Sequence, residues 1–175
     1  MASPVKLAHV VYRTADHERM AKWYCDVLEA KVVFRNDFLA FITYDDEHHR
    51  LAFAKTGAGE QPGPHTRGVD HIAFTYTNIA DLLATWERLE RSGVQPFWCI
   101  NHGTTTSIYY HDPDENRVEL QVDNMSMEAA TAFGESEAFR RNPIGIEFEP
   151  ADMLRRHRAG ESQDSLVRWP AEAMV

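Results

Sequence analysis

The chain lacks the features that would place it among disulfide-stapled, exported or membrane proteins. It has only two cysteines, Cys25 and Cys99, in 175 residues, so we expect two reduced thiols in a reducing compartment. No apolar run is long enough to span a bilayer, and the N-terminal segment MASPVKLAHVV lacks the charged region and apolar core of an export signal. We therefore expect a cytoplasmic protein that has no membrane partner.

Basic charge is also scarce. Lys and Arg number 18 against 27 Asp and Glu, which gives a formal net charge of -9. A surface of that sign repels phosphate backbones, so we expect no nucleic acid partner. The length suffices for one domain with a substantial core, and we predict a single domain over residues 1–175.

A weak internal repeat indicates the architecture. When His9 is aligned with His71, two similar segments align, LAHVVYRTADHERMAKWY and VDHIAFTYTNIADLLATWE. Each half is typical of a strand, a helix and three further strands, which predicts an α+β fold of two βαβββ modules. We place the modules at about 5–55 and 68–123, with a Gly- and Pro-containing linker at 56–67 between them and a C-terminal extension at 124–175.

Helix signals mark both modules and the extension. Asp16 and Asn78 are predicted N-caps, and Gly93 is a predicted stop for the second helix. In the extension we predict one helix over 127–141, a second short helix at 150–158, and a polar, partly mobile end from Gly160 onward. NPIGIEFEP has enough apolar residues to dock, so we expect the extension to close over a pocket or to pair with a partner chain.

Three residues at strand-like positions could hold a metal. His9 and His71 head the two modules, and Glu119 lies in the last strand of the second module. Two imidazoles and one carboxylate can hold a divalent metal on one face and leave the other face open, as in non-haem Fe(II) oxygenases. A histidine on a strand is more often structural, but a carboxylate facing a sheet interior is costly unless it is paired or metal-bound. The residues alone leave metal binding and a structural role open.

Four stretches carry a resemblance to a known family. LAHVVY, HHRLAF, VDHIAF and HGTTTSIYYHDPDENRVEL resemble the vicinal oxygen chelate superfamily, and within it the type I extradiol ring-cleaving dioxygenases. The resemblance implies two modules curled into an open barrel around a metal site. It implies Fe(II), with Mn(II) as an alternative, bound by His9, His71 and Glu119.

The resemblance also implies roles for three further residues. His49 matches the distal histidine beside the dioxygen site, and Tyr109 matches the tyrosine that hydrogen-bonds a substrate oxygen. His102 resembles the loop histidine that also contacts substrate. The implied function is an extradiol dioxygenase that cleaves a small aromatic diol with O2, and we expect a homo-oligomer.

The sequence departs from the family pattern at one residue and in the length of one loop, and the distal histidine must be chosen from two neighbours. Glu115 stands where the family has Gly, so the DPDEN turn must avoid a positive φ or strain Glu115. The loop between His102 and Tyr109 is shorter than in longer relatives. His48 neighbours His49, and strand alternation predicts that the two point to opposite faces.

Two rival functions stay open. The first is a glyoxalase-like isomerase or epimerase, which would use a metal as a Lewis acid without O2. The second is a metal-free protein that sequesters a drug. The intact His/His/Glu set and the histidine at position 49 favour the dioxygenase.

Overall fold

The structure is a computed structural model that describes residues 2–57, 59–60, 63 and 66–170. Residues 58, 61, 62, 64 and 65 of the predicted linker and residues 171–175 of the predicted extension lie outside that description. The chain divides into two compact units, one of Met1–Gly68 with Asp112–Asn116 and one of Val69–His111 with Arg117–Val175.

The first unit contains one βαβββ module. Its elements are β1 (Val10–Thr14), α1 (His17–Leu28), β2 (Lys31–Arg35), β3 (Leu39–Thr43) and β4 (Leu51–Lys55). They form a four-stranded sheet in the order β1-β4-β3-β2, in which β1 and β4 are parallel. The parallel pair is possible because α1 and two strands lie between its members in the chain and provide the crossover.

Helix α1 forms where the sequence predicts it. The Asp16 carboxylate accepts a hydrogen bond from the backbone N–H of Arg19, which satisfies one of the free N–H groups of the first turn. Met20, Tyr24 and Val27 recur at helical spacing and are fully buried. That apolar stripe fixes the helix against the unit's core.

The second unit repeats the module and adds to it. Its elements are β5 (His71–Tyr76), α2 (Ile79–Arg91), β6 (Trp98–Asn101), β7 (Thr105–His111), β8 (Arg117–Asp123), α3 (Met127–Gly134), α4 (Glu137–Arg141), β9 (Ile146–Glu147), α5 (Pro150–Arg158) and α6 (Gln163–Leu166). The five-stranded sheet has the order β5-β8-β7-β6-β9, and β5 and β8 are parallel. The predicted α+β fold of two βαβββ modules is therefore present. Helix α2 begins after Asn78 and ends before Gly93, as predicted.

One prediction for the extension is wrong in part. The predicted helix within 127–141 is two helices, because Ser136 caps a new helix by accepting from the N–H of Phe139. The end, which was predicted to be polar and partly mobile from Gly160, contains α6, and Leu166, Val167 and Trp169 are buried. The polar composition concealed these three apolar residues, which bury themselves within the second unit.

The turn between β7 and β8 belongs to the first unit. The Tyr24 hydroxyl donates to Asp112 Oδ2 at 3.0 Å, and Asp112 Oδ1 accepts from the N–H groups of Asp114 and Asn116, each at 2.9 Å. Glu115 has a φ of 61°, so it takes the left-handed conformation that a Gly would adopt without strain. The buried carboxylate of Asp112 holds the turn in that conformation.

Neither cysteine is in a disulfide, as predicted. Within the described ranges, no helix is both long enough and apolar enough to cross a membrane.

Candidate functional site

His71 lies between two carboxylates in the second unit. As the first residue of β5, it places its Nε2 2.9 Å from Glu119 Oε2 and its Nδ1 2.8 Å from Asp70 Oδ2. Asp70 also pairs with Arg117, from Nη1 to Oδ1 at 3.2 Å. The hydrogen bond from His71, and next the charge of Arg117, hold the pKa of Asp70 below its usual range. Asp70 is therefore a carboxylate that accepts the Nδ1 proton of His71.

Glu119 is buried because of its place in the sheet. It lies on β8, opposite Ala73 of β5 on one side and Tyr109 of β7 on the other. Its side chain is only 5% exposed. A carboxylate removed from water to this extent needs a proton donor or a cation beside it, and the imidazole of His71 meets that need here.

Tyr109 and His102 form a pair beside His71. Tyr109 Oη lies 3.0 Å from His102 Nε2, and the Tyr109 ring meets the His71 ring edge to face at 5.4 Å. Burial, and next the charge of Glu119 and a hydrogen bond to it, raise the pKa of Tyr109 above its usual value. Tyr109 is therefore a neutral phenol at physiological pH. His102 Nδ1 hydrogen-bonds to the carbonyl oxygen of Ile144.

His9 and His49 lie together in the first unit. His9 directly precedes β1, and its ring centroid lies 4.4 Å from that of His49. His49 also stacks on Phe41 at 4.5 Å. Burial, and next the neighbouring imidazoles of His48 and His9, lower the pKa of His49. A neutral His49 is the favoured form near pH 7 as a result.

The prediction that His48 and His49 point to opposite faces is wrong. Their Nδ1 atoms lie 2.6 Å apart in a hydrogen bond, and both rings lie beside His9. The reason is that β4 begins only at Leu51, so both residues precede the strand and its alternation does not apply to them.

The second unit brings two candidate metal donors together. Across the described ranges, no group of three or more His, Cys, Asp or Glu side chains is arranged to hold a metal. His71 and Glu119 do bring two donor atoms, Nε2 and Oε2, within 2.9 Å of each other. Asp70 accepts the other ring proton, which is the arrangement that directs a ligand lone pair towards a metal. The residues thus fit two of the three predicted ligand positions.

Sequence reasoning missed Asp70, although its adjacency to His71 in VDHIAF was a usable signal. It also missed Ile144, which acts through a backbone carbonyl. No sequence pattern marks a carbonyl as the partner of a histidine 42 residues away.

The chain matches a known protein family and is similar in sequence to several known enzymes. The model of the Glyoxalase/Bleomycin resistance protein/Dioxygenase superfamily matches residues 6–120. Biphenyl-2,3-diol 1,2-dioxygenase 2 of Rhodococcus globerulus is 42% identical over 98% of this chain and 93% of its own length. Biphenyl-2,3-diol 1,2-dioxygenase 3 of the same organism is 40% identical over 93% of this chain and 87% of its own. A probable lactoylglutathione lyase of Synechocystis is 27% identical over 65% of this chain and 92% of its own.

Solved structures agree on the fold. Lactoylglutathione lyase from Agrobacterium tumefaciens has a TM-score of 0.56 at 18% identity and covers 69% of this chain and 96% of its own. The fosfomycin resistance protein from Mesorhizobium loti has a TM-score of 0.55 at 24% identity, with coverage of 74% and 99%. At these identities the likeness concerns the fold alone.

Proposed function

We propose that this chain, which belongs to the Glyoxalase/Bleomycin resistance protein/Dioxygenase superfamily, is a dioxygenase that opens the ring of an aromatic diol beside its two hydroxyl groups. One carbon–carbon bond breaks and both atoms of O2 enter the product. The similarity to two biphenyl-2,3-diol 1,2-dioxygenases carries the proposal, because it extends over 98% and 93% of this chain and thus includes the extension.

The proposed cofactor is Fe(II), with Mn(II) as the alternative, held by His9, His71 and Glu119. The buried Glu119 carboxylate and the His71 imidazole support this assignment, since their donor atoms already converge. A bound Fe(II) ion would supply the redox and Lewis-acid chemistry for joining a diol to O2. Asp70 would keep the proton on Nδ1 of His71, so that Nε2 keeps its lone pair for the metal.

Tyr109 and His102 are the proposed contacts for the substrate oxygens. Tyr109 keeps its proton, and its hydroxyl can hydrogen-bond to an oxygen of the diol. His102 Nε2 lies within hydrogen-bond reach of that hydroxyl and can take up a proton that the diol loses.

His49 is the proposed group for moving a proton at O2. Its lowered pKa keeps the imidazole neutral, and its Nδ1 is occupied by His48. Nε2 is the remaining atom at which His49 can hold or deliver a proton. Because His49 matches the family's distal histidine, we propose that its Nε2 lies beside the position where O2 binds.

Aromatic side chains near Tyr109 support an aromatic substrate. The ring centroid of Trp98 lies 5.0 Å from that of Tyr109, and the centroid of Phe97 lies 6.1 Å from it. Phe97 is 43% exposed, so part of its ring is free to contact a ligand. Biphenyl-2,3-diol, which the relatives' names give, is the first substrate to test.

The direct test is reconstitution without oxygen. Purified protein is loaded anaerobically with Fe(II), mixed with biphenyl-2,3-diol or a monocyclic catechol, and then exposed to ¹⁸O-labelled O2. We expect a yellow ring-opened product that carries two labelled oxygen atoms. Stoichiometric iron and bound diol without product would refute the dioxygenase.

The isomerase alternative rests on the lactoylglutathione lyases, whose similarity leaves about a third of this chain unmatched. The same preparation, loaded with Ni(II) or Zn(II), tests it with a glutathione hemithioacetal. Turnover of the thioester-forming reaction without O2 would favour the isomerase. Tight binding of a hydrophobic drug by metal-free protein, without either turnover, would favour the sequestering protein.

A further inference from the structure

The loop that carries His102 is held by polar contacts within the second unit. The His102 N–H donates to the carbonyl of Thr105 at 2.8 Å, and the Gly103 N–H donates to Asn101 Oδ1 at 2.7 Å. Gly103 has a φ of 89°, a conformation that suits a residue without Cβ. Asn101 is buried, so its side chain acts as an internal brace for the loop.

The C-terminal extension completes the enclosure of this loop. Asn101 Nδ2 donates to the carbonyl of Val167 at 2.8 Å. A Cβ built on Gly103 would lie 2.3 Å from the ring of Phe133, so the extension packs directly on the loop. Strand β9 pairs with β6, with Asn101 opposite Ile146. The loop's conformation therefore depends on the extension.

Ile144, just before β9, determines where the proton of His102 lies. Its carbonyl oxygen can only accept, so the Nδ1 atom that bonds to it must carry the proton. In the neutral ring, Nε2 then has a lone pair, and this lone pair faces Tyr109 Oη at 3.0 Å. The Tyr109 proton is therefore directed into the protein.

A built turn aims the Ile144 carbonyl. The side chain of Asn142 accepts from the N–H groups of Ile144 at 3.2 Å and Gly145 at 2.9 Å, and it donates to the Gly145 carbonyl at 2.8 Å. Gly145 has a φ of 130°, and a Cβ there would lie 2.4 Å from the carbonyl oxygen of Asn101. We call Asn142–Gly145 the positioning turn.

We propose that the positioning turn is part of substrate recognition, because it fixes His102 in the tautomer that draws the Tyr109 proton inward. Tyr109 Oη then presents lone pairs, and the site selects an oxygen that carries a proton, such as a diol hydroxyl, over a carbonyl oxygen. Asn142 is a positioning residue in this scheme. The choice of a diol rests on the proposed function, whereas the tautomer of His102 does not.

The tautomer is measured directly on the full-length protein. ¹⁵N-histidine is incorporated, and Zn(II) replaces Fe(II) because zinc has no unpaired electrons to broaden the spectrum. The His102 signals are assigned from their loss in His102→Gln. We expect the proton on Nδ1 in the wild type and a mixture of tautomers in Asn142→Ala. A wild-type His102 with its proton on Nε2 would overturn the proposal, whatever the stability of Asn142→Ala.

Binding measurements test the functional consequence. Asn142→Ala removes all three hydrogen bonds of the turn, Asn142→Asp keeps the two accepted ones, and Gly134→Ala is a control in an open position of α3. We expect anaerobic diol affinity to fall by about 3- to 10-fold in Asn142→Ala, as for the loss of one hydrogen bond. KM should rise more than kcat falls, Asn142→Asp should recover most of the loss, and Gly134→Ala should match the wild type.

The possible results distinguish a failure of the positioning turn from a failure of the proposed dioxygenase function. Unchanged tautomer and affinity in a folded Asn142→Ala would overturn the role of the positioning turn. The expected tautomer shift and weaker diol binding, in a protein that opens no diol ring, would support the turn and refute the dioxygenase instead.

Discussion

Asp70 illustrates how a neighbouring side chain can orient a proposed metal ligand, here His71. It accepts the Nδ1 proton of His71 at 2.8 Å and is itself held by Arg117. Such partners orient the ring and raise the basicity of the ligand nitrogen. The charge of Asp70, and not only its presence, should therefore matter.

The first prediction concerns Asp70→Ala, which we expect to weaken Fe(II) or Mn(II) binding by about 10- to 100-fold. Asp70→Asn keeps an acceptor oxygen but loses the charge, so its affinity should be intermediate. Competition with a metal-sensitive dye under argon measures both constants. Asp37→Ala, an exposed aspartate of the first unit, is the control, and equal affinities in all four proteins would exclude the proposed role.

The second prediction concerns His49→Ala, which should retain iron and anaerobic diol binding but lose turnover by about 100- to 10,000-fold. The physical reason is that the neutral imidazole has Nε2 available for proton transfer. Iron content, diol affinity and oxygen uptake are measured on one preparation. Loss of iron would indicate a ligand, and a lower melting temperature with normal turnover would indicate a structural histidine.

At the scale of elements, one carboxylate joins the last two helices of the extension. Glu161 accepts from Arg156 at 2.6 and 2.8 Å and from the Ser165 hydroxyl at 2.7 Å. The hydrogen bond from Arg156, which has the larger effect, and the hydrogen bond from Ser165 lower the pKa of Glu161 to about 2. Arg156 belongs to α5 and Ser165 to α6, so the carboxylate links the two helices.

The third prediction is a pH-dependent stability for this link. Because the folded pKa lies below the ordinary value of 4.5, the contribution is present above about pH 4.5 and declines as the pH falls towards 2. Glu161→Gln should therefore melt below the wild type at pH 7, and the gap should shrink at pH 3. Thermal unfolding at low and high salt measures it, with Glu135→Gln as the control. The effect should be modest because water reaches the ion pair, in which the Glu161 side chain is 28% exposed. A gap that widens on acidification would contradict it.

At the scale of the whole molecule, the superfamily and the two-module α+β fold predicted from the sequence are confirmed. The closure of the modules around a metal, the single domain over 1–175, the homo-oligomer and the cytoplasmic location stay predictions. A metal bound by ligands from both modules would link their stabilities. The melting temperature with and without metal measures that link directly.

The fourth prediction is that metal binding raises the melting temperature of the whole chain. A ligand that binds only the folded state at about 100 times its Kd stabilises by about 2.7 kcal/mol. Anaerobic Fe(II) should produce this shift, and a chelator should reverse it. Replacing His9, His71 or Glu119 with Ala should remove the shift and the bound iron. Full iron occupancy in His9→Ala would exclude the first unit from the site.

The sequence by itself determined much of the local structure, and it supplied the candidate site residues that stay predictions. Asp16, Asn78 and Gly93 mark helix ends as predicted, because caps act through hydrogen bonds and backbone angles only a few residues away. The repeat predicted that His9 and His71 head equivalent strands, and β1 and β5 are indeed the first strands of the two modules. Helical and strand periodicity encode such features within short windows.

Only the tertiary structure decided how His102, His48 and the extension are placed. His102 meets the Ile144 carbonyl because β9 adds to the sheet edge at β6. His48 and His49 share a face because β4 starts after them. Trp169 and Leu166 are buried in a segment of polar composition. Each outcome depends on which surfaces remain to be covered once the modules have formed, and that is a property of packing between residues distant in the chain.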